Sequence, residues 1–190
     1  MIKLQNKIFS EDRKIISTTS KVISLGNHTA QPLRAYFKTL QYNLGCTYIF
    51  YIYEDIEFDR KIIYTSSSKW QNLLVGEKLI NECPVFKAGL ASLTSSKKLI
   101  LLPWNHIHCK TSMEKDITLL RSEFNIANGI GVSHSNGNLS EGLGLGADIK
   151  DILFYQRVIA NNLIYNIMKK IRFLALHDAK HHFNRQKKLN

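Results

Sequence analysis

The stretch GIGVSHSNGNLSEGLGLG, residues 129–146, limits the fold more than any other. Asn136-Gly137 is a two-residue hairpin signal, because a tight turn needs positive φ and these residues adopt it at little cost. The segments on either side are therefore expected to pair as antiparallel strands. A second pair precedes them. CTYIFYIY, residues 46–53, is rich in β-branched and aromatic residues and reads as a buried strand. The acidic EDIEFD loop separates it from KIIYTS, residues 61–66. KKLILLPW, residues 97–104, supplies a further strand, ended by proline.

Helical periodicity fills the intervals. Leu33, Tyr36, Phe37 and Leu40 recur at helical spacing between Gln31 and Asn43, with Gly45 placed as a C-cap. Ser68 with Gln71 reads as a capping box. Trp70, Leu73, Leu74, Leu79 and Ile80 form the apolar face that follows. Pro84 opens a short helix to about Ala91. Thr111 or Ser112 caps another to about Asn125, with Ile117, Leu120 and Phe124 on its apolar face and Gly129 ending it. One long amphipathic helix is predicted from Ile149 to about His177, burying Ile152, Ile159, Leu163, Ile167 and Phe173 or Leu174. Residues 3–27 read as a helix or loose arm. The order predicts an α+β fold: an α/β/α sandwich with a roughly five-stranded, mostly antiparallel sheet. PAS and GAF sensor folds share that plan.

Composition narrows the function. The 190 residues, 44% hydrophobic and 22% charged, suit one globular domain. The longest apolar run, Cys46–Tyr53, is too short to span a membrane, and MIKLQNKIFSEDRK has no secretory apolar core. Three widely spaced cysteines (Cys46, Cys83, Cys109) suit reduced thiols, so a cytoplasmic location is expected. The net charge of +11 is concentrated at the end. Residues 169–190 carry seven basic side chains against Asp178, a balance of +6. A sensor domain over 1–177 and a basic linker or tail over 178–190 are expected, with nucleic-acid contact by the tail the secondary reading.

Catalytic and cofactor signals are weak. His106, His108 and Cys109 form an H-x-H-C cluster without a second ligand pair, so no metal is expected. Gly142, Gly144, Gly146 and Ala147 match G-x-G-x-x-A, yet no apolar strand precedes them and no acid stands about 20 residues on. Glycines that let a strand bend or a ligand approach fit better. No Ser/His/Asp order, paired carboxylates or phosphate loop stands out. No cofactor and no enzymatic activity are expected. A small thiol enzyme using Cys83 or Cys109 is the rival reading.

From about residue 30 to 177 the chain resembles the autoinducer-binding domain of LuxR-type quorum-sensing transcription regulators. Trp70 opens the helix after the second strand. Cys83-Pro84 stands 13 residues on, where the family has Asp-Pro, and continues as Val85. Trp104 closes the next strand. Phe124-Asn125-Ile126 with Gly129 is similar to the family's helix ending, and the glycine-containing hairpin and final helix follow. The resemblance implies a chamber between sheet and helices that takes a small amphiphilic signal such as an acyl-homoserine lactone. In the family the tryptophan matching Trp70 donates to the lactone carbonyl, and the Asp matching Cys83 accepts from the ligand amide. It also implies a lining of Leu74, Cys83, Val85, Trp104 and Gly144, with Tyr64 as a second donor.

Three positions depart from that pattern: Cys83 is a poor acceptor, Leu74 stands for a tyrosine, and Gly144 aligns near a serine or threonine. A buried ligand amide left unpaired costs roughly 1–3 kcal/mol. The chain is therefore expected to have a modified pocket that binds a less polar or different small molecule, or none, rather than a standard acyl-homoserine lactone. Family members dimerise and contact DNA through a C-terminal helix-turn-helix domain. The chain stops about where the linker to that domain would run, as a fragment or as a sensor-only relative. A stand-alone module that heterodimerises with full-length regulators is the alternative expectation.

Overall fold

The computed structural model describes residues 21–26, 31–95 and 99–186. Their strands are β1 (Lys21–Gly26), β2 (Cys46–Asp55), β3 (Arg60–Thr65), β4 (Ile100–Pro103), β5 (Asn128–Ser135) and β6 (Leu139–Ala147). The helices are α1 (Gln31–Leu44), α2 (Ser68–Gly76), α3 (Pro84–Ser95), α4 (Ser112–Glu123), α5 (Phe154–Ile159) and α6 (Leu163–Gln186), with short 3₁₀ turns at Leu79–Glu82, Trp104–His106 and Ala160–Asn162. The strands form one sheet in the order β1-β3-β2-β6-β5-β4. Five strands, β2 to β6, are antiparallel to their neighbours, and β1 adds parallel to β3 at the edge. Helices cover both faces, as an α+β sandwich requires. The strand at β1 replaces the helix or loose arm expected at that end of residues 3–27; residues 1–20 lie outside the described residues.

Side-chain alternation divides the sheet. Ile49, Tyr51 and Tyr53 of β2 point to one face with Ile130, Val132, Leu143 and Leu145. There they meet Leu33, Phe37 and Leu40 of α1, Phe154 and Val158 of α5, and Ile164, Ile167, Met168, Ile171 and Ala175 of α6. Tyr48, Phe50 and Ile52 point the other way, toward α2, α3 and α4.

The first face also holds a buried ion pair. Glu141, fully buried on β6, accepts from the Tyr51 hydroxyl at 2.7 Å and from Arg172 Nε at 3.0 Å, and pairs with Arg172 Nη2. Both carboxylate oxygens of Glu141 are answered there, which is the condition under which a buried charge is tolerated. The same contacts fix α6 against the sheet.

Several local expectations shift by a residue or a turn. Gly45, at φ +73, caps α1 as predicted, its N–H returning to the Gln41 carbonyl at 3.0 Å. The cap of α2 is Ser67 rather than Ser68: its hydroxyl accepts from the Trp70 N–H at 3.3 Å. α2 stops at Gly76, and Lys78 at φ +57 turns the chain, so Leu79 and Ile80 belong to a separate 3₁₀ turn. The Thr111 cap of α4 holds, with Glu114 completing a capping box. Asn125, at φ +57, takes the left-handed position after α4; Gly129 lies within β5. In the β5–β6 hairpin the Asn136 N–H bonds the Leu139 carbonyl at 3.0 Å, so the central pair is Gly137-Asn138, one residue later than predicted.

The predicted long helix is two helices. Asn162 adopts φ +58 between α5 and α6, and the break resets the helical phase. Ile152 is therefore 66% exposed and Phe173 63% exposed, and Ile159 is exposed as well. Phe154, Val158, Ile164 and Ile171 take the buried positions, with Ile167 buried as expected. α6 then runs on to Gln186, past the boundary expected at residue 177, with Asp178 and Ala179 still buried.

Candidate functional site

The second face of the sheet is unusual because two adjacent strands present almost no side chains on it. Gly129, Gly131 and Ser133 of β5 lie beside Gly146, Gly144 and Gly142 of β6 in direct register. This is the period-two consequence of writing glycine at alternate positions in both arms of the hairpin. A layer of sheet that would ordinarily be filled is thereby left open.

Trp104 occupies part of that space. It is buried, and its ring lies along the glycines. A methyl group at Gly129 would overlap the ring and the Leu145 carbonyl. One at Gly146 would stand 3.2 Å from the ring and one at Gly144 3.4 Å. These glycines are present because the indole approaches the backbone, and no dinucleotide turn is involved. Pro103 and the 3₁₀ turn at Trp104–His106 deliver the ring to this position from the end of β4.

Beside Trp104 a cavity of about 120 Å³ remains. β2 lines it with Tyr48, Phe50 and Ile52, and the glycine strands with Gly131, Ser133, Gly142 and Gly144. α2 contributes Trp70, Gln71 and Leu74; the corner after it contributes Ile80 and Cys83; α3 contributes Val85, Phe86, Gly89, Leu90 and Leu93. Trp70 packs against Phe124 at 5.3 Å between ring centroids. Among the described residues no Asp or Glu lines the cavity.

Six of the seven candidate residues named from the sequence, Trp70, Leu74, Cys83, Val85, Trp104 and Gly144, border this one space. Tyr64 does not. It is fully buried in the cluster on the opposite face of the sheet and is withdrawn as a second donor to the cavity. The cause is visible in β3, where Lys61, Ile62, Ile63 and Tyr64 are all buried, so no polar-apolar alternation reveals which way the tyrosine points.

The sequence reading missed Arg121. Glu114, Ile117 and Arg121 are the buried residues of α4, spaced along one helical face. The guanidinium carbon lies 4.9 Å from the Trp104 ring centroid, and Nη2 donates to the Ala127 carbonyl at 3.2 Å. Burial lowers its pKa from the ordinary arginine value. The signal was an arginine placed between Ile117 and Phe124 on the face read as apolar.

Burial also sets the chemistry of the other polar groups. It pushes the Cys83 thiol up, against formation of a thiolate, and raises the Tyr48 phenol. Cys109 faces elsewhere, with its Sγ 3.4 Å from the Thr118 hydroxyl, and the His106 ring packs edge-on to Tyr155 at 5.8 Å. Among the described residues no three His, Cys, Asp or Glu side chains converge on a metal position. No helix among them is long and apolar enough to cross a membrane.

No protein-family model and no curated protein sequence matches the chain. Among solved structures it is similar to Escherichia coli SdiA at 10% identity, with a TM-score of 0.51 and coverage of 95% of this chain and 68% of that one. It is also similar to the VqsR LBD domain of Pseudomonas aeruginosa, at 12% identity, a TM-score of 0.47 and coverage of 78% and 90%. A third is CepR2 of Burkholderia cenocepacia, described as an N-acylhomoserine lactone-dependent LuxR-family transcription factor, at 14% identity, a TM-score of 0.41 and coverage of 80% and 93%. The likeness to SdiA shows a shared fold.

Proposed function

We propose that the chain is the small-molecule-sensing domain of a LuxR-type transcription regulator and that its signal is not a standard acyl-homoserine lactone. The observation that carries this reading is the cavity. Two tryptophans at the positions expected from the family resemblance, Trp70 and Trp104, border one apolar space between sheet and helices. The fold shared with SdiA supports it. An open chamber favours sensing over the alternative, a heterodimerising module with a filled interior. The raised pKa of Cys83 disfavours a thiol enzyme at that corner.

Occupancy would act through linkage. A guest that binds only the folded domain stabilises it by RT ln(1 + [L]/Kd), about 2.7 kcal/mol at 100 times Kd. That energy is available to bias dimerisation or an attached DNA-binding unit in the cytoplasm. Departure from lactone recognition rests on the lining. Cys83, Leu74 and Gly144 stand where the family places acceptor and hydroxyl side chains, and among the described residues no carboxylate lines the cavity to take a ligand amide.

Native mass spectrometry of the purified protein tests the reading. A small molecule released on denaturation is expected. Protein that carries none, and whose melting temperature no small molecule raises, would remove it. Sub-micromolar binding of N-hexanoyl or N-3-oxooctanoyl homoserine lactone by calorimetry would overturn the second part.

A further inference from the structure

Arg121 has a charge that the fold leaves unmatched. The residue is only 5% exposed, and among the described residues its Nε and Nη1 have no hydrogen-bond partner. The Trp104 Nε1, buried beneath the same guanidinium, also has none. Both residues border the cavity, and among the described residues no Asp or Glu does. The ionisable groups whose charge bears on Arg121 are Cys83, Cys109 and Tyr48, a set without a carboxylate. Arginine stays protonated in proteins, and a buried cation without a counter-charge is strongly unfavourable. Unpaired donors in native interiors are rare enough to call for an absent partner.

We propose that the ligand of this cavity is a small carboxylic acid, bound as the carboxylate with its oxygens on the unpartnered N–H groups of Arg121 and Trp104. This rests on the sensing reading and assigns the chemistry of its signal. A neutral carbonyl would satisfy a donor and leave the charge uncompensated. A phosphate or sulfate would bring more oxygens than Arg121 and Trp104 can meet, in a wall that is mostly apolar apart from Tyr48, Gln71, Cys83 and Ser133. Size sets the body of the acid. A dry apolar cavity of about 150 Å³ holds benzene, so about 120 Å³ suits one aromatic ring or a short aliphatic chain.

The chain has two tryptophans and both border the cavity, so intrinsic fluorescence reports directly on it. Benzoate, phenylacetate and hexanoate are titrated into the wild-type chain. Their primary amides and N-hexanoyl homoserine lactone are titrated in parallel. At least one acid is expected to bind about tenfold or more tightly than its amide, and Arg121→Met to weaken that acid by about 10- to 100-fold. Arg121→Lys, which keeps the charge without the planar fork, falls between.

An amide that binds as well as its acid overturns the assignment and leaves the sensing reading standing. So does a folded Arg121→Met chain that keeps wild-type affinity, or binding by the lactone alone. If Arg121→Met does not fold, the acid-against-amide ratio on the wild-type chain decides. Failure of all these compounds overturns the carboxylate assignment; the sensing reading falls with it only if native mass spectrometry also finds no bound molecule.

Discussion

The two faces of the sheet are built from the same strands and solve opposite problems. On the face covered by α1, α5 and α6, Glu141 is fully buried and each of its contacts is answered: Tyr51 donates, Arg172 donates, and apolar side chains close around them. On the face covered by α2, α3 and α4, Arg121 is almost as deeply buried and two of its nitrogens are unanswered beside a hollow. A buried charge with its partner supplied by the chain fixes a structure. A buried charge whose partner the chain omits leaves a position for something else. The comparison teaches that a self-satisfied interior and an open one are separated here by the alternation of side chains along β5 and β6.

Two arginines put that separation to the test most severely. Arg172→Met strands the Glu141 carboxylate in the interior and is expected to lower unfolding free energy by about 3–5 kcal/mol. Arg121→Met removes an unpaired cation at the cost of one hydrogen bond to Ala127, and stability is expected to hold or rise by about 1 kcal/mol. Urea denaturation of both variants measures the contrast. Two losses of equal size would mean that the cavity face is as self-sufficient as the other.

The glycines sharpen the comparison at smaller magnitude. Gly129→Ala forces a methyl into the Trp104 ring and the Leu145 carbonyl, and a loss of about 1–3 kcal/mol with an altered tryptophan emission is expected. Gly131→Ala meets its nearest atom at 3.5 Å, so stability should stay within about 0.5 kcal/mol while the cavity shrinks. A large loss at residue 131 would show that the floor is filled throughout.

Thiol accessibility gives the smallest and simplest check. Burial pushes the Cys46 thiol up to about 12 on the solid face and raises Cys83 beside the cavity, whereas Cys109 is only half-buried. At pH 8 iodoacetamide should label Cys109 first, with Cys46 and Cys83 slow until the chain unfolds, as read by peptide mass spectrometry. Rapid labelling of Cys83 would reopen thiol chemistry at the α2–α3 corner.

Much of this was legible in residue order. The strands β2 and β3, the capped start of α4 and the Gly45 stop of α1 follow from local chemistry acting over a few residues. The gathering of Trp70, Leu74, Cys83, Val85, Trp104 and Gly144 was implied by the family resemblance over about residues 30–177, and local chemistry alone does not give it. What stayed hidden depends on partners distant in sequence. Gly129 reads equally well as a helix stop or as a place where a ring approaches the backbone, and only the arrival of Trp104 decides. The break at Asn162 has no proline or glycine to announce it. Tyr64 lies in a strand buried on both faces, where periodicity carries no direction. Arg121 was passed over because a lone arginine on a helix is ordinarily solvated, and its burial depends on the indole below it.

The alternate glycines of β5 and β6 have a consequence for how such a chain can change. Single methyl additions at residues 131, 142 or 144 would reshape the chamber from its floor upward, while the intervening Ile130, Val132, Leu143 and Leu145 keep the opposite interior unaltered. Guest preference could therefore drift in small steps, each confined to one side of a two-sided sheet, without the molecule having to rediscover how to fold.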